Sequence, residues 1–287
     1  MNIEKPVFII GSGRSGTTIL YNLLALHPQL CWFSNLTDKF PRLPQLSIVH
    51  RVLDMPVVAG SMRREFVRRT RPSLRPGEGD NIYHYCGFDD KTKMTKEDLT
   101  AEMQRKFTGV IKNYLQATGK ERFLNKQTAN TQRIQVIDKM FPDAFYIHII
   151  RDGRAVANSL LHVDWWDDIV VWWLGYGPSD WASMGKEPIE LCGLHWQRDV
   201  QEILENRHLF EDRYLELRYE ELVEDTHGIM KRLLPFCELD DTPTFFRYLP
   251  KSMPSMNRKW ETELDERQQL VLWQTIGDFM VQLGYSV

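Results

Sequence analysis

Residues 7–20, VFIIGSGRSGTTIL, set the architecture of this chain. Four consecutive apolar residues, Val7 to Ile10, run into a glycine-rich turn, and Ile19, Leu20, Leu23, Leu24 and Leu26 then recur at helical spacing. That order predicts a buried strand, a tight loop and a helix. In such a unit the loop N–H groups and the helix N-terminus converge on one point, which favours an anion such as phosphate or sulfate. Gly11-x4-Gly16 has P-loop spacing, but Thr17, followed by Thr18, stands where a nucleotide triphosphatase carries its lysine. Arg14 supplies a cation inside the loop instead and can fork onto two oxygens of a phosphate or sulfuryl group.

Working outward, strand and helix signals alternate. After His27-Pro28, which ends the first helix, residues 32–44 are rich in turn formers and fit a loop over the C-terminal edge of a sheet, where ligands bind in open α/β folds. Six arginines (Arg63, Arg64, Arg68, Arg69, Arg71 and Arg75) read as a solvated helix face or as an anion-attracting rim. The loop Arg75-Pro76-Gly77-Glu78-Gly79-Asp80-Asn81 has glycines that let backbone approach a ligand closely. A long amphipathic helix is predicted over 95–118, opened by the Thr95-x-x-Asp98 capping pattern. Arg122-Phe123-Leu124-Asn125 then reads as a short strand delivering Lys126-Gln127-Thr128.

A second strong strand, Ala144 to Ile150, leads through Arg151-Asp152-Gly153-Arg154 into a helix. His148 within it reads as a packed core histidine. Residues 164–181 hold five of the nine tryptophans among Asp164, Asp167, Asp168 and Asp180, which suits helix packing or a lid for a sugar, aromatic or cationic acceptor. A strand at 214–217, Tyr219-Glu220, a loop at 252–260 and a closing amphipathic helix stopped by Gly284 complete the pattern. The alternation predicts an α/β fold: a single P-loop-type domain over residues 1–287, with a mainly parallel central sheet covered by helices on both faces.

Composition narrows the function classes. A chain of 287 residues with 43% hydrophobic content can build a substantial core, and a net charge of −3 gives no general attraction to nucleic acid or anionic membrane. Cys31, Cys86, Cys192 and Cys237 lack metal-ligand spacing, so free thiols in a reducing compartment and no bound metal are expected. The N-terminus leads directly into the first strand, and no run of 18 apolar residues occurs, so a cytoplasmic protein is expected. The sequence leaves the oligomeric state open.

Arg14-Ser15-Gly16-Thr17-Thr18 after a strand resembles the 5′-phosphosulfate loop of sulfotransferases that use 3′-phosphoadenosine 5′-phosphosulfate (PAPS). The resemblance is to the branch that includes tyrosylprotein sulfotransferase and many bacterial enzymes, with arginine where cytosolic steroid and phenol sulfotransferases have lysine. It extends over most of the chain. It implies that Gly11, Gly13, Arg14, Ser15, Gly16, Thr17 and Thr18 hold the phosphosulfate, and that Lys126 points at the transferring group. Arg151 and Ser159 match the family's 3′-phosphate motif, Tyr219 its residue near the adenine, and Arg258-Lys259 its closing basic loop. A plain surface charge is the alternative at Arg151 and, more so, at Arg258. The implied reaction moves a sulfuryl group from PAPS to a hydroxyl or amine of a small-molecule or glycan acceptor, leaving adenosine 3′,5′-bisphosphate (PAP). Arg14 and Lys126 are expected on the sulfuryl and bridging oxygens.

The sequence departs from the pattern at the general base. Ser34 and Asn35 stand near the position of the family's catalytic glutamate, and Thr128 stands where the cytosolic branch carries histidine. None of the three is a base near pH 7. Glu78, between two glycines, is the first substitute, followed by Asp38 and His84. Two other readings stay open. One is a P-loop kinase with Asp152 on magnesium; the other is a nucleotide-binding regulator that lost catalysis.

Overall fold

The computed structural model describes residues 2–51 and 74–286. Of the arginine-rich segment, Arg63, Arg64, Arg68, Arg69 and Arg71 lie outside the described residues. Five strands, β1 (Val7–Ile10), β2 (Leu30–Cys31), β3 (Arg122–Lys126), β4 (Phe145–Ile150) and β5 (Tyr214–Arg218), form one sheet in the order β2-β3-β1-β4-β5. Every pairing is parallel; Ile9 lies opposite Lys126 and Ile147, and Ile150 opposite Arg218. The loops after β1, β3, β4 and β5 therefore all emerge on one edge, with β1 in the middle flanked by β3 and β4.

Side-chain alternation along the strands assigns the two faces. Val7 and Ile9 pack with Leu20, Leu24, Leu124, Ile147, Leu217 and Leu233 on one face, while Phe8 and Ile10 pack with Phe107, Ile111, Phe123, Ile137 and Tyr146 on the other. The helices that cover these faces include α1 (Thr17–Leu24), α2 (Asn35–Asp38), α3 (Asp80–Cys86), α4 (Ala101–Thr118) and α5 (Ile134–Met140). A third cluster joins α6 (Gly153–Leu161), α7 (Pro178–Ser183) and α8 (Pro188–Asn206), with buried Trp166, Trp181 and Trp196, to the closing helix Glu266–Gln282. No described helix is long and apolar enough to cross a membrane.

Two boundaries differ from the expectation. The Thr95–Asp98 capping box exists but closes only a 3₁₀ turn, Lys96–Asp98. Leu99 is extended, and α4 starts at Ala101 under its own cap, the Thr100 hydroxyl accepting from Met103 N at 3.2 Å. Helix α1 ends at Leu24, and Leu26 and His27 continue it only as i→i+3 turns before Pro28. His148 is a packed core residue as expected, fully buried with Nδ1 2.6 Å from the Tyr214 hydroxyl. Burial pushes its pKa down to about 3.

Candidate active site

The first glycine loop is shaped by contacts that exclude any side chain. Gly11 has φ +148° and Gly16 φ +95°; a β-carbon on them would stand 2.6 Å from Ile149 O and 2.5 Å from Tyr219 Cδ2. Arg14 itself takes φ +66°, which turns its side chain out of the loop, and Ser15 N closes back on Ser12 O at 3.2 Å. Ser12 and Ser15 are buried, and neither hydroxyl has a hydrogen-bond partner among the described residues. Thr17 is buried at the start of α1 and Thr18 is exposed beside it. Buried hydroxyls without partners, at the end of a strand and the start of a helix, are suited to an anion that would satisfy them.

The residues singled out for the second anion position gather beside this loop. Arg14 Nε donates to Ser159 Oγ at 2.9 Å, so α6 lies alongside the loop although Ser159 is eight residues beyond Arg151. Arg151, buried at the end of β4, donates from Nη1 to the Arg14 carbonyl at 3.0 Å, from Nη2 to Met256 O at 2.7 Å and from Nε to Asn257 Oδ1 at 3.0 Å. Its guanidinium carbon lies 4.3 Å from the centre of the Tyr219 ring. Burial lowers the Arg151 pKa, with Tyr219 and Glu220 acting the other way. Arg151 is thus a bracket between the first loop, Tyr219 and the C-terminal loop, and it retains further N–H groups for a ligand.

Arg258 and Lys259 are placed differently. Arg258 is 85% exposed and paired with Glu261 at 2.8 Å, and Lys259 is 57% exposed, 3.8 Å from Glu263. What ties their loop to the site is Met256 and Asn257. The Asn257 amide also donates to Glu220 Oε1 at 2.8 Å, a role for which an isolated asparagine gave no signal. Asp152, required on magnesium by the kinase reading, is engaged otherwise: its carboxylate accepts from Arg154 N, Nε and Nη2 at 2.8, 3.1 and 2.8 Å.

On the other side of β1, β3 delivers Lys126, which is 3% exposed, and its ammonium is paired with Glu78 Oε1. The second oxygen of Glu78 accepts from Thr128 N at 3.2 Å. The glycines flanking Glu78 explain its reach. A β-carbon on Gly77 would stand 2.4 Å from Asn35 Oδ1, and one on Gly79, at φ +88°, 2.5 Å from Phe33 Cδ2. Gly77 N donates to Phe33 O at 2.7 Å, and Ser34 bridges Pro76. Glu78 therefore reaches Thr128 while the adjoining Gly77 lies against Asn35, at or beside the two positions where the resemblance places a base.

The other candidates serve elsewhere. Asp38 receives Ile82 N and Asn81 Nδ2, both at 3.1 Å, and so caps α3. His84 is half-exposed and faces Asp90 at 3.1 Å. Ser34 caps α2. Of the clustered tryptophans, Trp166 and Trp181 are buried in the helix core and Trp172 donates to Asp199 Oδ1 at 3.0 Å. Trp165, 46% exposed, stands over the first loop, with its Cη2 4.0 Å from where a β-carbon on Gly13 would be.

Comparison with known proteins agrees with this geometry. A sequence model of the sulfotransferase family matches residues 6–243. The omega-hydroxy-beta-dihydromenaquinone-9 sulfotransferase of Mycobacterium tuberculosis is 26% identical over 321 aligned positions, covering 99% of this chain and 76% of that protein. The protein-tyrosine sulfotransferase of Drosophila melanogaster is 24% identical over 240, covering 83% of this chain and 39% of its own length. Among solved structures, a sulfotransferase from Mycobacterium avium superposes with a TM-score of 0.62 at 14% identity, covering all of this chain and 79% of that one. With the family model matched over residues 6–243, which span all five strands and both glycine loops, this chain belongs to the sulfotransferase family.

Proposed function

We propose that the chain transfers a sulfuryl group from PAPS to a hydroxyl or amine of a small-molecule or glycan acceptor by in-line displacement, residues 1–287 forming one catalytic domain. The observation that carries this reading is the placement of Lys126 with Glu78 on one side of the first glycine loop and of Arg151, Ser159 and Tyr219 on the other. The donor, when bound, supplies an activated sulfur whose bond to the phosphate oxygen breaks as the acceptor attacks.

The residues present fit that donor. The Gly11–Thr18 backbone and the partnerless Ser12 and Ser15 hydroxyls would hold the 5′-phosphosulfate. Arg151 and Ser159 would hold the 3′-phosphate, Tyr219 would lie by the adenine, and Arg258-Lys259 would swing in from solvent. Arg14 and Lys126 stabilise negative charge on the sulfuryl and bridging oxygens, which is where most of the rate enhancement in such transfers arises. Glu78 takes the acceptor's proton. Its partner is the Lys126 ammonium, for which anionic donor oxygens would compete, freeing the carboxylate to face the acceptor.

One relative's name specifies a hydroxylated menaquinone and another's a protein tyrosine; the exposed indole of Trp165 over the first loop favours an acceptor with a flat apolar face here. The test is release of PAP from PAPS across a panel of hydroxyl and amine acceptors in EDTA. Acceptor-dependent release that EDTA leaves unchanged is expected. Binding without release across the panel would make the chain a regulator, and metal-dependent transfer from ATP would make it a kinase.

A further inference from the structure

Lys126 is flanked in sequence by two amides, and both reach across to the loop that carries Glu78. Asn125, fully buried, donates from Nδ2 to the Glu78 carbonyl at 3.1 Å, and Gln127 donates from Nε2 to Asp80 Oδ1 at 2.7 Å. Each amide is itself held. Asn125 Oδ1 accepts from the Tyr83 hydroxyl at 2.9 Å and from Asn130 Nδ2 at 3.0 Å, which uses both of its lone pairs. Gln127 Oε1 accepts from Arg133, a fully buried guanidinium that also donates to Ala129 O at 3.1 Å and lies 4.3 Å from the Tyr83 ring centre.

Burying a cation there has a clear cost: desolvation lowers the Arg133 pKa to about 10. A chain gains nothing by placing Arg133, Tyr83, Asn125 and Gln127 under a solvent-facing loop if apolar side chains would serve. Their common effect is to fix the register of residues 78–80 against residues 125–128. That register sets where the Glu78 carboxylate stands relative to Lys126 and Thr128.

We propose that Asn125 and Tyr83 are positioning residues for the Glu78 carboxylate, so that the buried Tyr83–Asn125–Glu78 carbonyl chain sets the efficiency of proton removal from the acceptor. The proposal rests on the assignment of Glu78 as base. Without the chain, the loop keeps its glycine contacts with Phe33 and Asn35 but loses the bond that holds the Glu78 carbonyl. A displacement of about 1 Å of a catalytic group suffices for a loss on the order of 100-fold.

The test uses Tyr83→Phe, which removes only the hydroxyl and keeps the ring under Arg133, and Asn125→Asp, which keeps the acceptor for Tyr83 and removes the donor to Glu78. Both are compared with Glu78→Gln, alone and in combination. Each positioning variant is expected to lower kcat about 10- to 100-fold with little change in KM for PAPS, and to shift the acidic limb of the kcat/KM pH profile. In the Glu78→Gln background neither should lower kcat further, because they act through the carboxylate already removed. Wild-type kcat and pH profile in both variants, or a full additional loss in the Glu78→Gln background, would overturn the proposal while leaving Glu78 as base. Wild-type turnover by Glu78→Gln would instead remove the base assignment itself.

Discussion

Two glycine loops meet at the C-terminal edge of this sheet and use glycine for different purposes. In residues 11–16, glycine lets the chain curl tightly enough that Ile149 and Tyr219 close on it, and what the loop presents is backbone N–H groups and two small hydroxyls. In residues 77–79, glycine presses the chain onto Phe33 and Asn35, and what the loop presents is one side chain, Glu78. The first loop is closed by near neighbours, Ser15 N on Ser12 O and Leu20 N on Gly16 O. The second has one near neighbour, Tyr83 N on Gly79 O, and among the described residues is otherwise held by partners more than 40 residues away, on Tyr21 and residues 33–35 before it and 125–128 after it. Cradling an anion with backbone needs local geometry, whereas aiming one carboxylate needs a tertiary frame.

The largest expected effect separates the two loops by kinetics. Lys126→Ala, on the side of the second loop, should lower turnover about 10²- to 10³-fold and leave PAP affinity nearly intact, because its charge matters most where charge develops in the transition state. Equal losses in turnover and in calorimetric PAP affinity would make Lys126 part of the donor cradle and erase the division. Next, PAP should bind about 10- to 150-fold more tightly than adenosine 5′-phosphate, roughly 1.5–3 kcal/mol for the added charge-assisted contact at Arg151 and Ser159. Titration calorimetry giving the same Kd for both nucleotides would remove those two residues from the 3′-phosphate.

Glycine substitution sharpens the comparison further. Gly16→Ala and Gly79→Ala each place a β-carbon 2.5 Å from an aromatic ring at positive φ, and each should cost about 1–3 kcal/mol in urea unfolding. They should differ in function: Gly16→Ala loses PAP affinity, whereas Gly79→Ala keeps it and loses turnover. Matching functional losses would mean the loops act as one unit.

A last effect belongs to the sheet that carries both loops. His148 is buried and neutral, with its pKa lowered to about 3, so the unfolded chain takes up a proton near pH 6.5 that the folded chain refuses. Stability is fully present above pH 6.5 and is lost as pH falls toward 3, by about 2 kcal/mol between pH 7 and 5 for this one group. His148→Asn should flatten the pH dependence of denaturant midpoints over that range. An unchanged slope would mean that other groups govern it.

What residues 7–20 dictated without any tertiary information is the first loop: a four-residue apolar strand, glycines at fixed offsets and a helical repeat leave one way to fold, and the anion preference follows from backbone dipoles. The alternation of strands and helices likewise determined a parallel sheet covered on both faces, and with it the edge on which Lys126, Arg151 and Tyr219 emerge. Glu78 was singled out by its two glycines, but its partner was not; the fold supplies Lys126, 48 residues away. Nor did Arg258-Lys259 disclose that Asn257 and Met256 make the contact, or Thr95-x-x-Asp98 that its cap closes a single turn. Strand, loop and helix are encoded by neighbours within a few residues of one another. The partners of a single carboxylate are chosen by segments 40 to 50 residues apart, whose meeting only the packed sheet decides.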